Sequence, residues 1–317
     1  MPGPRYKQII KGEEAVVHCW SQCVRRTHLF GYDPLTKRDY SHRKKLMVDR
    51  LKFLASIFAI DVCAFAVLIN HLHTVLRIRP DLTNLWSDYQ IASRWARLHP
   101  QKSVPLKKRI KALLTCPKDL RSYRERLCDL SEFMAELNEY IARIANKEDG
   151  CTGHFWEERF HCKVLLDEAS IACCMAYVDL NPIRAGIAIS PEESDFTSIQ
   201  ERIREWKDAM KTESWLCPIQ PNHSRRGILL MTEADYFDLV DKTGRIFRPD
   251  KPGFIDPDLP PILQRIGAIP EAWDKTLSQF ESEFSYAVGT VSSLRAFANR
   301  LGKKWLKGIS FAKKSFT

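Results

Sequence analysis

Residues 61–78 read DVCAFAVLI, then Asn70, then HLHTVLRI. Two runs rich in β-branched and aromatic residues meet at a single polar residue, the pattern of a β-hairpin. The first run is apolar almost throughout, so it predicts a strand buried on both faces, 61–69. The second, 71–78, begins with His71-Leu72-His73. Side chains two apart on a strand project to the same side. The hairpin therefore predicts two imidazoles on one sheet face and Leu72 on the other.

Outward from the hairpin, EAVVHCWSQCV (14–24) predicts a strand, and 42–58, with Leu46, Leu51, Leu54 and Phe58 at near-helical spacing, a helix. Residues 131–146 place Phe133, Met134, Leu137, Ile141 and Ile144 on one stripe, with Ser131 as N-cap. FHCKVLL (160–166) predicts a strand, and 168–180 a helix stopped by Asn181-Pro182. The order β-α-β-β-α-β-α predicts an α+β fold, a ferredoxin-like antiparallel sheet with helices packed on it. Residues 80–126 read as an irregular basic insertion. Arg94 to Arg126 holds eleven basic residues and two acidic ones, a pattern open to a solvated face or to nucleic-acid contact.

The 317 residues suffice for a sizeable core, and 44% apolar with 28% charged residues excludes fibrous, low-complexity and small disulfide-scaffold classes. Net charge is +10, which favours a polyanionic partner. Charge also divides the chain: residues 1–190 carry +9 and 191–290 carry −6, while 295–317 hold seven basic residues and no acidic one. With IAISPEES marking the change, the expected organisation is a domain over 1–190 and a mainly helical C-terminal extension over 191–317. Within the extension, 232–241 predicts a capped helix and 292–308 a basic amphipathic helix or helix pair, open to a DNA-binding module or to a packing appendage with a charged tail. The longest apolar run, Phe53–Ile69, spans 17 residues and contains Ser56 and Asp61. It is too short and polar for a membrane span and reads as two buried elements in series. The N-terminal MPGPRYKQIIKGEE carries no apolar signal segment. A cytoplasmic protein without membrane contact is expected, its ten cysteines thiols and mostly buried small apolar residues.

Two local patterns carry chemistry. His71 and His73 can bite one metal ion from one face of a strand, and neutral imidazoles on a buried hairpin need a partner. Tyr177 and Asn181, four apart, share a helical face. A tyrosine beside a metal can attack phosphorus, and an amide oxygen is a hard ligand suited to Mg²⁺ or Mn²⁺. Each pattern taken singly also fits a structural role: paired unrelated histidines, a core aromatic, a helix cap before proline.

Three segments, N-H-x-H (Asn70–His73), G-x-F-W-E-x-R-F (Gly153–Phe160) and AYVDLNPIRAG (Ala176–Gly186), occur in this order. Together they resemble the REP-associated tyrosine transposases, relatives of the insertion-sequence-200-type single-tyrosine enzymes of the HUH nuclease group. The similarity extends over VHCWSQCVRR and NKEDGCTG and so covers about 14–190. Ile69 departs from the Pro or Ser common before the asparagine. The resemblance implies that His71, His73 and Asn181 hold Mg²⁺ or Mn²⁺ and that Tyr177 is the nucleophile. It implies cleavage and rejoining of single-stranded DNA near a hairpin through a 5′-phosphotyrosine, by a monomer or dimer. Arg25, Arg26, Arg159, Lys163 and Arg184 are the candidates for phosphate contact; Trp156 fits either base stacking or the core. The alternatives are an HUH relaxase or replication initiator, for which a third histidine or a paired tyrosine is missing, a DNA-binding regulator without catalysis, and a basic structural protein with a zinc site.

Overall fold

The computed structural model describes residues 9–188, 190–208, 214–222, 224–246 and 287–315. Four long strands build the sheet: β1 (Ala15–Gln22), β4 (Ile60–Val67), β5 (His71–Ile78) and β6 (His161–Leu165), with a small ribbon of β2 (Tyr32–Asp33) and β3 (Arg38–Asp39) beside it. A two-residue strand, β7 (Ala287–Val288), joins from the C-terminal region. The order is β4-β5-β1-β6-β7. The first four are mutually antiparallel, whereas β7 runs parallel to β6 and makes the sheet mixed. Two paired residues carry no readable periodicity, which is why this strand was invisible in the sequence.

Helices cover both faces. α1 (His42–Ile57) and α6 (Leu130–Asp149) pack together on the face of Leu72. Asn138 of α6 donates to Ser21, which lies opposite Leu72 in the register. α7 (Glu168–Asp179) covers the other face over β4 and β5. Leu72 is fully buried between the sheet and its helices, as the alternation requires.

The stretch 80–126 is not irregular. It folds into α2 (Pro80–Leu85), α3 (Asp88–Leu98), α4 (Leu106–Leu114) and α5 (Pro117–Arg126). Proline opens α2 and α5, where its missing N–H costs nothing. α4 and α5 each bury one residue, Ile110 and Leu120, although in α4 Leu106, Ile110, Leu113 and Leu114 do stand at helical spacing. Asp129 rather than Ser131 caps α6, accepting from the Glu132 N–H at 2.9 Å.

The seventh helix ends at Asp179, just before Asn181-Pro182 as expected, but the chain does not leave the helical path there. Leu180 stays in the right-handed helical region, and a further turn, α8 (Asn181–Arg184), follows. Proline removes one hydrogen bond but fits the first turn of a helix. The stop is Gly186, at φ 66°, where Ile187 N–H reaches Pro182 O and Gly186 N–H reaches Ile183 O. That is a Schellman closure, and the left-handed residue it needs is the glycine of AYVDLNPIRAG.

Packing runs on without a break past residue 190. Val67 N–H donates to Phe196 O, Phe65 N–H to Ser198 Oγ and Cys217 N–H to Val62 O, so this segment lies along the outer edge of β4. Two helices follow, α9 (Ser198–Lys207) and α10 (Glu233–Ile246), the latter capped by Thr232. Of the basic stretch 292–308, expected as one helix or a pair, the helical part is Val291–Arg300, and a second helix, Ile309–Ser315, follows beyond it; residues 247–286 and 316–317 of the extension lie outside the described residues. Among the described residues, no helix is long and apolar enough to cross a membrane. All ten cysteines are free thiols, and seven are buried.

Candidate active site

Register assembles the site. Across β1 and β5, Trp20 faces His73 and Gln22 faces His71; across β1 and β6, His18 faces Lys163 and Trp20 faces His161. Residues opposite one another share a face. Three strands thus each place two such residues on the face under α7: His18 and Trp20, His71 and His73, His161 and Lys163. The sequence alone pointed to the middle pair and to Lys163, but not to His18, Trp20 or His161. The H-x-W and H-x-K alternations of β1 and β6 are the same signal, legible once the strands are paired.

Tyr177 of α7 stands edge-on to this layer, its ring 5.6 Å from that of His73 at 88° and 5.9 Å from that of His18. The rings of His71 and His73 are 5.0 Å apart and perpendicular. Asn181 follows one turn beyond the tyrosine, its amide nitrogen donating to Tyr177 O at 3.1 Å. The four residues proposed from the sequence for nucleophile and metal therefore lie around one sheet end and the helix end above it.

Two imidazoles and an amide oxygen are donor types that a divalent ion takes, although among the described residues no group of three or more His, Cys, Asp or Glu is placed to hold one. Asn70 donates its amide N–H to Arg26 O at 3.2 Å, so its oxygen faces His71 Nδ1 at 2.6 Å. An oxygen can only accept, so Nδ1 of His71 carries a proton, and in the neutral ring Nε2 keeps its lone pair. Burial holds His73 neutral, at about 3, with Arg184 adding to the effect, and pushes His18 far below the usual imidazole range. Neutral imidazole is the form that ligates. Asn181, its nitrogen committed to Tyr177 O, has the carbonyl oxygen as its remaining side-chain group.

The turn that offers Arg26 O to Asn70 is unusual. Arg25 and Arg26 both sit in the left-handed region, at φ 52° and 55°. Two successive non-glycine residues there carry strain on the order of 1 kcal/mol or more each. Cys23 N–H to Asn70 O, at 2.8 Å, ties this turn to the hairpin tip.

The five basic candidates separate. Arg25, Arg26 and Arg159 are exposed. Lys163 is buried, its ammonium 5.3 Å from the ring centre of Trp20. Arg184 is half-buried, its guanidinium 4.8 Å from the Tyr177 ring centre. Trp156 belongs to the core margin, with its ring against Phe30 and Phe155 and its Nε1–H on Asn138 O.

α7 is locked at its last residue. Asp179 is fully buried and accepts from Ser198 Oγ, Ile199 N–H and Tyr236 Oη. Burial raises its carboxyl to about 6, against the lowering effect of the Ser198 and Tyr236 hydrogen bonds. The aspartate of AYVDLNPIRAG thus holds the tyrosine helix to α9 and α10.

No family model matches the chain, and no curated protein matches it. Among solved structures, a REP-associated tyrosine transposase bound to a REP hairpin is similar at 12% identity, covering 71% of this chain and 97% of that one, with a TM-score of 0.39.

Proposed function

We propose that the protein is a metal-dependent single-strand DNA nuclease and strand transferase of the tyrosine transposase type, built on a ferredoxin-like arrangement of β1, β4, β5 and β6. The observation that carries this reading is Tyr177 set edge-on to His73 within one chain, one helical turn from Asn181. The three motifs in order support it from the sequence side. The short distance within the chain supports a site completed in cis.

The residues divide the work. Tyr177 Oη attacks phosphorus in line; the bond to the 3′ oxygen breaks, leaving a 5′-phosphotyrosine and a free 3′-OH. A 3′-OH from a second strand reverses the step and joins new ends. Tyrosine ordinarily ionises near 10, so the phenolate needs help. The Arg184 guanidinium lies 4.8 Å from the Tyr177 ring centre, the cation nearest to the proposed nucleophile among the five basic candidates. Exposed Arg25, Arg26 and Arg159 are placed for phosphate contact. Mg²⁺ or Mn²⁺ held by His71, His73 and Asn181 would supply charge stabilisation at the scissile phosphate.

The test is incubation with hairpin-bearing single-stranded DNA and Mn²⁺. A denaturant-stable protein–DNA adduct is expected for the wild type. Tyr177→Phe keeps ring and fold, and is expected to bind the DNA and form no adduct. An adduct with the Phe variant would remove Tyr177 as nucleophile.

A further inference from the structure

His18 lies at the centre of β1, fully buried, and its Nε2 is 3.0 Å from Nδ1 of His73. The ring planes differ by only 15°, with centroids 5.2 Å apart. A separation that large with a nitrogen–nitrogen contact that short means the rings meet edge to edge, nearly in one plane. This is the geometry of an N–H···N hydrogen bond, not of face-to-face stacking. It is also enforced. β1 and β5 are neighbours over the whole of β5, and His18 stands diagonal to His73 across that pair, one alternation from Trp20. Trp20 at 5.1 Å and Tyr177 at 5.9 Å enclose the His18 ring.

One proton lies between the two nitrogens, and its place decides what His73 can do. If Nδ1 of His73 carries it and donates to His18 Nε2, then Nε2 of His73 keeps a lone pair. If His18 Nε2 carries it, Nδ1 of His73 is the acceptor and Nε2 of a neutral His73 carries hydrogen, which forbids ligation. His71 has its tautomer set from outside in the same way, by Asn70, as shown above. The two imidazoles of the hairpin thus have analogous supports from different sources, one from the tip and one from the neighbouring strand.

We infer that His18 is the positioning residue of this site: it accepts the Nδ1–H of His73 and so keeps the Nε2 lone pair of His73 for the cation. Fully buried, His18 is shielded from solvent, and its contact with Nδ1 of His73 is the one through which it supports the ligand. The inference rests on the metal-site reading above, and it has a readout that does not need metal.

The first measurement is the tautomer of His73 in the metal-free protein, from long-range ¹H–¹⁵N correlations. Nδ1–H is expected in the wild type; Nε2–H overturns the inference, with no variant needed. The second is Mn²⁺ affinity by electron paramagnetic resonance for His18→Leu and His18→Gln, with circular dichroism to confirm folding. Leucine removes the acceptor, and Mn²⁺ binding is expected to weaken roughly 10- to 100-fold, the usual effect of losing an outer partner of a ligand. Glutamine places an oxygen near the position of Nε2, and is expected to restore affinity to within a few-fold and to keep the Nδ1–H tautomer. A folded His18→Leu that binds Mn²⁺ as tightly as the wild type makes His18 a core residue only and overturns the inference. If the wild type binds no Mn²⁺ while His73 is still Nδ1–H and loses that preference in His18→Leu, the metal reading fails and the role of His18 in fixing the tautomer stands.

Discussion

Leu72 and His73 are adjacent and both buried, yet they belong to different parts of the molecule. His73 faces Tyr177 and His18, whereas Leu72 faces the layer of α1 and α6. Affinity for a strand comes from phosphate contacts and stacking spread over many residues, while rate depends on one ion at one phosphate. His73→Ala is therefore expected to abolish metal-dependent adduct formation and to leave most DNA affinity in place. Leu72→Ala is expected to lower stability by about 2–5 kcal/mol and, at a temperature where it remains folded, still to form the adduct. Urea midpoints and adduct gels on both variants check the pair; wild-type cleavage by His73→Ala would put the metal elsewhere. At this scale the sequence was informative where the signal is local. His71-Leu72-His73 is read from alternation inside one strand. His18 could not be read that way, because its partner is set by pairing with a strand more than fifty residues on. The need for a partner was legible; its identity was a matter of register.

The basic insertion shows the same limit at the level of elements. Charge alone leaves its cations undivided, but packing separates them. Arg94 donates to the last carbonyls of α1, at Ser56 and Ile57, and lies over Trp86. Arg124 holds Trp86 O, and Arg126 pairs with Glu132 while covering Trp95. Lys102, Lys107, Lys108, Lys111, Lys118 and Arg121 are exposed. Arg94, Arg124 and Arg126 brace the insertion, whereas its lysines, with Arg97 and Arg121, face water. The insertion is rooted at Pro80, past the end of β5 opposite to His71, roughly 20 Å away at 3.3 Å per residue. Arg25 and Arg26, by contrast, are on the turn tied to Asn70. Replacing Arg25 and Arg26 together by Gln is expected to weaken single-strand binding and to lower the slope of log affinity against log salt by about 0.7 for each lost contact. The triple change Lys107→Gln, Lys108→Gln, Lys111→Gln is expected to leave slope and adduct yield near wild type. Titrations at several salt concentrations decide it, and the reverse ranking would move the DNA path onto the insertion.

For the whole molecule, the change of charge near residue 190 and the packing give different divisions of the chain. Charge is a surface property and says nothing of which edges are closed. The segment after 190 closes the β4 edge through Phe196, Ser198 and Cys217, and Arg202 reaches Cys63 O and Cys217 O from inside. Arg77, on β5, donates to the carbonyls of Arg226 and Gly227. β7 closes the β6 edge, with Leu166 N–H on Val288 O. Cutting at 190 leaves both sheet edges open, a known route to aggregation. It also strips a fully buried carboxylate, Asp179, of its three donors, and each unsatisfied buried group costs about 1–3 kcal/mol or more. Marginal stability does not absorb losses of that kind. A fragment of residues 1–190 is therefore expected to show no cooperative urea transition and to aggregate, although it contains His71, His73, Tyr177 and Asn181. A fragment of residues 1–246 restores the donors to Asp179 and the cover of β4, but leaves β6 without β7. It is expected to unfold cooperatively at a lower urea midpoint than the full chain and to form the adduct with hairpin DNA. Urea titration followed by circular dichroism, with light scattering for aggregation, distinguishes the fragments. A cooperative 1–190 that forms the adduct would show that Asp179 and the β4 edge do without the contacts made by the following segment, and that the charge boundary is also the folding boundary.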